Sequence, residues 1–106
     1  MKGFLPGPYQ HRTALDEVVQ FMGGLAYMTG PSGRPLRAGT CVVDLMGGTL
    51  EVVAITGALK ERERTGKGQL VQTGLFESVA FLMGQHMAAV AITGEDLPPM
   101  PEREGR

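Results

Sequence analysis

The sequence predicts an α/β fold of about three helices and two short strands. Three observations lead there. Apolar residues recur at helical spacing in three separate stretches. Residues 41–43 and 69–73 read as strands, the first by continuous apolarity and the second by alternation. Clusters of glycine and proline punctuate the chain between these segments. A chain of 106 residues holds one domain at most, since compact domains usually occupy about 100 to 200 residues.

Phe4, Leu5, Pro6, Gly7, Pro8 and Tyr9 oppose helix, so residues 1–12 read as an extended linker leading into the domain. From Thr13, a potential cap, Asp16 and Glu17 form an acidic first turn. Leu15, Val18, Val19, Met22, Leu25 and Ala26 then recur with helical period, giving a helix that ends near Gly30. Pro31, Ser32, Gly33, Arg34 and Pro35 form a turn. Cys41, Val42 and Val43 follow as a short buried strand closed by Asp44.

Gly47 and Gly48 lead into a second helix from Thr49, apolar until the charged run from Lys60 to Arg64. Gly66 and Gly68 stop it, because glycine accepts the left-handed conformation at a helix C-terminus. Residues 69–73 alternate as the second strand. A third helix from about Leu75 to Ile92 is apolar on most faces. Residues 13–93 thus form the body of the domain, and the proline- and charge-rich residues 94–106 an exposed connector. Neither strand has a hairpin partner, so strands elsewhere in a longer polypeptide are expected to complete the sheet.

A composition 42% hydrophobic and 20% charged is that of a soluble globular chain, which argues against a disordered or fibrous class. Net charge is −1 and the ten basic residues are dispersed, so neither nucleic acid nor an anionic membrane surface is an expected partner. No uninterrupted apolar run approaches the roughly 18 residues of a membrane span. Cys41 is the only cysteine, which excludes an internal disulfide framework and fits the cytoplasm; it reads as a small buried hydrophobe.

Several chemical motifs dissolve on inspection. Gly66, Lys67 and Gly68 lack the spacing of a phosphate loop and follow a helix, as a C-cap does. His11 and His86 are too isolated for a metal site, and no metal ligand set is expected. Ser32 and Ser78 lack the context of a hydrolase nucleophile. Glu77, on an apolar helix, needs a partner or a wet cavity; it is a helix cap, an interface ion pair or a secondary catalytic candidate.

Asp44 is the leading candidate. By spacing alone a carboxylate before a glycine pair reads first as an N-cap, and a nucleophilic role is compatible with that reading. The positive end of a helix dipole favours its charged form, glycines let a ligand approach the backbone, and such a carboxylate can attack an activated acyl carbon.

The order of motifs adds to this. Gly7-Pro8-Tyr9, Asp16, Gln20, Gly23-Gly24, Thr29-Gly30, Gly39 and Asp44 are followed by Ala58-Leu59, Arg62-Glu63, Thr65-Gly66-Lys67-Gly68-Gln69 and Glu77-Ser78. This series resembles the family III CoA-transferases, also called the CaiB/BaiF family, over nearly the whole chain. Its most specific stretch, from Ala58 to Gln69, is similar to the family's A-L-x-x-R-E-x-T-G-x-G-Q.

The resemblance implies that the chain is a fragment of a Rossmann-like large domain from a longer, dimeric enzyme, inactive by itself. It implies that Asp44 is the nucleophile, taking an acyl group from an acyl-CoA and passing CoA to a carboxylic acid acceptor. Asp16 matches an acidic position near the active site, where it would orient the acyl group or a hydrogen-bonded partner. The backbone amides of Gly47 and Gly48 would stabilise developing negative charge and contact the CoA ester. No tightly bound cofactor is implied, since the CoA thioester is a substrate.

The related acyl-CoA racemases need a histidine base just before the residue matching Asp16. Leu15 stands there and cannot exchange a proton. Oxalate-type formyl-CoA transferases carry a tyrosine at that position, so the resemblance implies that Leu15 also disfavours that substrate. Leu15 and Met46 suggest an apolar acyl group. A different class of function also fits the short apolar chain: a non-catalytic assembly piece docking on a larger partner.

Overall fold

The computed structural model describes residues 1–103. It overturns the α/β expectation: the described residues form four α-helices and a 3-10 turn, with no sheet. The helices are α1 (Asp16–Met22), α2 (Leu25–Thr29), α3 (Val42–Thr65) and α4 (Leu75–Thr93), and the 3-10 turn is Met100–Glu102.

The expected helix ending near Gly30 is two helices that break at Gly23 and Gly24. Gly24 adopts a left-handed φ of 91°, open to glycine and costly for other residues. At Gly23 a Cβ would overlap Val79 Cγ1, so the absent side chain lets α1 seat directly on α4. Leu15, not Thr13, holds the N-cap position of α1, and no side chain caps it there.

Residues 41–43 are not a strand. Val42 and Val43 begin α3, and Asp44 sits in its first turn rather than at a strand end. Their β-branched side chains suggested extended backbone. Tertiary capping decides otherwise, because the carboxylate of Asp16 accepts the N–H groups of Val43 (2.8 Å) and Asp44 (2.9 Å). Cys41 precedes this turn and is exposed, not buried. Gly47 and Gly48 lie inside α3 instead of before it. Gly66, at φ 71°, ends the helix with its N–H on the Arg62 carbonyl, and the Lys67 N–H then caps onto Thr65 Oγ1.

Residues 69–73 are not a strand either. Alternation alone does not form a ladder; a partner must supply the hydrogen bonds. The described residues form one parallel bridge, Lys2 with Gly74: the Lys2 N–H donates to Thr73 and the Lys2 carbonyl accepts from Leu75. α4 agrees closely with expectation. Leu75, Val79 and Met83, four residues apart, are its buried stripe.

The core sits where this stripe meets Val19 of α1 and Val43 of α3, flanked by Ala14, Leu25, Met28, Val42 and Phe76. Full burial of each large apolar side chain stabilises by about 1.5–3 kcal/mol. The leading segment packs too: Phe4 is buried against Phe76, with ring centroids 5.6 Å apart, and edge-on to Tyr9. At the other end Pro99 is buried and Glu102 accepts from the Ser32 N–H and hydroxyl, 2.6 and 2.7 Å. Residues 104–106 of the expected connector lie outside the described residues.

The molecule is elongated, 53 × 29 × 26 Å, with a radius of gyration of 16.4 Å. A compact chain of this length would have about 13 Å. The excess comes from α3, whose 24 residues run well past the core and leave Val52, Val53, Ile55 and Leu59 exposed. Phe81, Met87 and Ile92 of α4 are exposed as well. Both helices are long and apolar enough to cross a membrane by length and composition, although α4 buries one stripe in the core.

Two tests follow from this packing. A Cβ at Gly30 would overlap the Arg34 carbonyl oxygen and come within 2.9 Å of the Leu36 nitrogen, whereas one at Gly48 meets nothing within 4 Å. Gly30→Ala is expected to lower stability by about 2 kcal/mol. Gly48→Ala is expected to raise it by about 0.5–1 kcal/mol, because alanine is the better helix former. Denaturant unfolding of the full-length gene product reads both, and equal effects would refute the packing argument.

The second test concerns pH. The Ser32 hydroxyl, and then its N–H, hold the Glu102 carboxyl below its ordinary value. A depressed folded value means that the docking contribution is present above the unfolded carboxylate value. It is lost as pH falls through the folded one. Acidification should therefore release the Ser32 amide to hydrogen exchange, and Glu102→Gln should remove that pH dependence.

Candidate active site

Asp44 occupies the third position of α3, and its carboxylate is exposed with no hydrogen bond from another described residue. Its backbone is fixed. The N–H of Asp44 and that of Val43 donate to Oδ2 of Asp16, which reaches across from the first residue of α1. Asp16 is only 6% exposed, and its Oδ1 accepts from Nε2 of Gln20.

Gln20 is fully buried, and its Oε1 accepts the Ala38 N–H at 2.8 Å. One side chain thus braces the carboxylate and also pins the loop that delivers the chain to α3. No cation pairs with Asp16 among the described ion pairs; its charge is met by the N-terminal N–H groups and dipole of α3.

The structure therefore brings Asp16 and Asp44 together, through a side chain on one and a backbone N–H on the other. Gly47 and Gly48 follow within a turn, but both are interior to the helix, where N–H groups belong to the helical ladder. Gly47 is a close-approach residue: a Cβ there would overlap Met1 Sδ and lie 3.4 Å from Ser78 Oγ. Gly48, four residues after Asp44 and on its face of the helix, is open. Leu15 is 61% exposed beside Asp16.

Glu77 does not join this group. Its Oε1 accepts the Leu5 N–H at 3.1 Å, and it lines a cleft of about 330 Å³ with residues 4–9 and Phe76. This ties the leading segment to the first turn of α4. His86 lies on a different cleft, among Met28, Met83 and Met87, and His11 contacts Gln10. Among the described residues no cluster of His, Cys, Asp and Glu could hold a metal ion.

Gln20 is the site residue to which sequence reasoning assigned no role. Its signal was present: it stands four residues after Asp16, the spacing at which helical side chains meet, and it is polar amid the apolar stripe of α1.

The model of CoA-transferase family III matches residues 1–106. The chain belongs to that family. An acetyl-CoA:oxalate CoA-transferase from Acetobacter aceti is 37% identical over 91 residues, covering 84% of this chain and 23% of that protein. A succinyl-CoA:glutarate CoA-transferase from Mus musculus is 37% identical over 90 residues, covering 84% of this chain and 20% of the other. A crystal structure of a CaiB/BaiF family protein from Brucella suis superposes with a TM-score of 0.86 at 34% identity, over 93% of this chain and 27% of that one. The chain thus spans about a quarter of the length of the family III proteins it matches.

Proposed function

We propose that the protein transfers CoA between an acyl-CoA thioester and a carboxylic acid, with Asp44 as the covalent carrier. The supporting observation is the exposed carboxylate of Asp44, which has no hydrogen-bond or ion-pair partner among the described residues, on a backbone held by buried Asp16. Membership of family III and the named CoA-transferase relatives support the same reading.

In the proposed cycle the Asp44 carboxylate attacks the thioester carbonyl and expels CoA thiolate, leaving an acyl-aspartyl anhydride. The thiolate attacks the Asp44 carbonyl of that anhydride, which releases the donor acid and leaves a CoA thioester on Asp44. The acceptor carboxylate displaces the thiolate from this thioester, giving a second anhydride. Attack of the thiolate on the acceptor carbonyl then frees Asp44 and the new acyl-CoA. Electrons and atoms balance without an oxidant or a bound cofactor.

Open space over Gly48, on the face of Asp44, suits the close approach of a bulky thioester, and exposed Leu15 favours an apolar acyl portion. Leu15 in place of a histidine base disfavours a racemase. A homodimer in the cytoplasm is part of the same proposal, supported by the exposed apolar faces of α3 and α4 and by the lone cysteine.

Those faces also favour a second reading, an assembly piece seated on a larger chain. Sedimentation of the isolated 106 residues separates the two: a well-folded monomer that binds CoA counts against the assembly piece, and partner-dependent solubility supports it.

Incubating the full-length gene product with acyl-CoA and hydroxylamine should place a hydroxamate on Asp44, located by peptide mass. Asp44→Ala should lower transfer by at least about a thousandfold, as loss of a nucleophile does. Retained transfer in that variant would sink the assignment.

A further inference from the structure

We infer that Asp16 is a positioning residue that works on Asp44 through the backbone, as a helix cap supplied from another helix. The inference rests on Asp44 being the nucleophile. α3 lacks the cap its sequence would ordinarily provide. Cys41 occupies the N-cap position and makes no side-chain capping bond. In a self-capped helix an N-cap oxygen accepts the N–H of the second or third residue. An acidic residue at the third position then folds back onto the N-cap N–H.

In α3 the second and third residues are Val43 and Asp44, and the oxygen that accepts both N–H groups is Oδ2 of Asp16, 27 and 28 residues earlier. The cap therefore comes from α1. The residue at the fold-back position is Asp44, and its carboxylate stays exposed. Capping and chemistry are assigned to different aspartates.

The geometry also limits what else Asp16 can do. One oxygen carries two helix N–H groups, the other carries Gln20 Nε2, and the residue is only 6% exposed. Little of it is left to face an acyl group. Its effect on the reaction is to hold the first turn of α3 so that Asp44 meets the thioester carbon in one orientation. Gln20, bonded to both Asp16 and the Ala38 N–H, keeps that carboxylate aimed.

The test uses the full-length gene product with three variants, Asp16→Asn, Asp16→Leu and Gln20→Leu. Their readouts are hydrogen exchange at the Val43 and Asp44 amides, the rate of hydroxamate formation, and kcat and KM for acyl-CoA. Asp16→Leu leaves both N–H groups without an acceptor. It should open the two amides and lower kcat about a hundredfold with KM changed by less than about threefold, the pattern of lost orientation. Asp16→Asn keeps one oxygen for the two N–H groups and should recover about tenfold of that loss. Gln20→Leu leaves the cap in place but unbraced and should fall between Asp16→Asn and the parent.

If Asp16→Leu does not fold, Asp16→Asn and Gln20→Leu decide. A raised KM with kcat unchanged in both would mean direct substrate contact and overturn the inference, as would unaltered exchange at Val43 and Asp44. A hydroxamate found on a residue other than Asp44 in the parent would overturn the functional reading instead. The exchange arm would still decide whether Asp16 is the cap.

Discussion

The carboxylate of Asp16 against the start of α3 is the contact on which the rest of this structure depends. A charge buried this deeply is costly unless its lone pairs are met. Here they are met by two helix N–H groups and the Gln20 amide, with the α3 dipole aligned in the favourable sense. The contact fixes where α3 begins, how α1 lies against it, and, through Gln20 and Ala38, the path of the intervening loop. Val19 and Val43, both fully buried, pack beside it as part of the apolar cluster shared with α4. The polar joint and the core therefore specify the same arrangement, and disrupting either loosens the turn that carries Asp44.

Glycines complete that arrangement by letting elements touch. Gly23 admits Val79, Gly47 admits Met1 and Ser78, and Gly30 admits the backbone of the turn that follows it. Packing is dense at this end of the molecule and sparse at the other. The distal part of α3 carries exposed Val52, Val53, Ile55 and Leu59 and, with residues 68–71, lines an open cleft of about 300 Å³. These apolar faces set the distal half of α3 apart from its first turn, which the core and the Asp16 contact hold.

The legible parts of the fold were the local ones. α4 was readable because its burial stripe and its apolar length lie in one continuous segment, and the C-cap at Gly66 because its chemistry is confined to four residues. The start of α3 was not. Val42 and Val43 have strand-forming side chains, the N-cap position holds a cysteine, and the capping oxygen lies 28 residues from Asp44. Nothing within a helical window announces a cap of that kind. Residues 69–73 alternate as a strand does, yet alternation describes one face and not a partner, and Lys2 pairs only beyond them at Gly74. Asp44 stood out from its place in the family's order of motifs, whereas the tasks of Asp16 and Gln20 needed three-dimensional contacts.

The glycine pair after Asp44 shows how packing and chemistry separate on one helix. Each glycine inside a helix costs about 0.5–1 kcal/mol relative to alanine. At Gly47 the cost has a structural reason, because the N-terminal segment passes where a side chain would stand. At Gly48 no neighbouring atom gives one. Gly48 lies one turn beyond Asp44 on the same face, so a side chain there would stand beside the carboxylate rather than within the core. Gly57 of α3 and Gly84 of α4 are likewise interior to helices with nothing within 4 Å of a Cβ, so open space over a helical glycine is shared by several turns and is not peculiar to the face of Asp44.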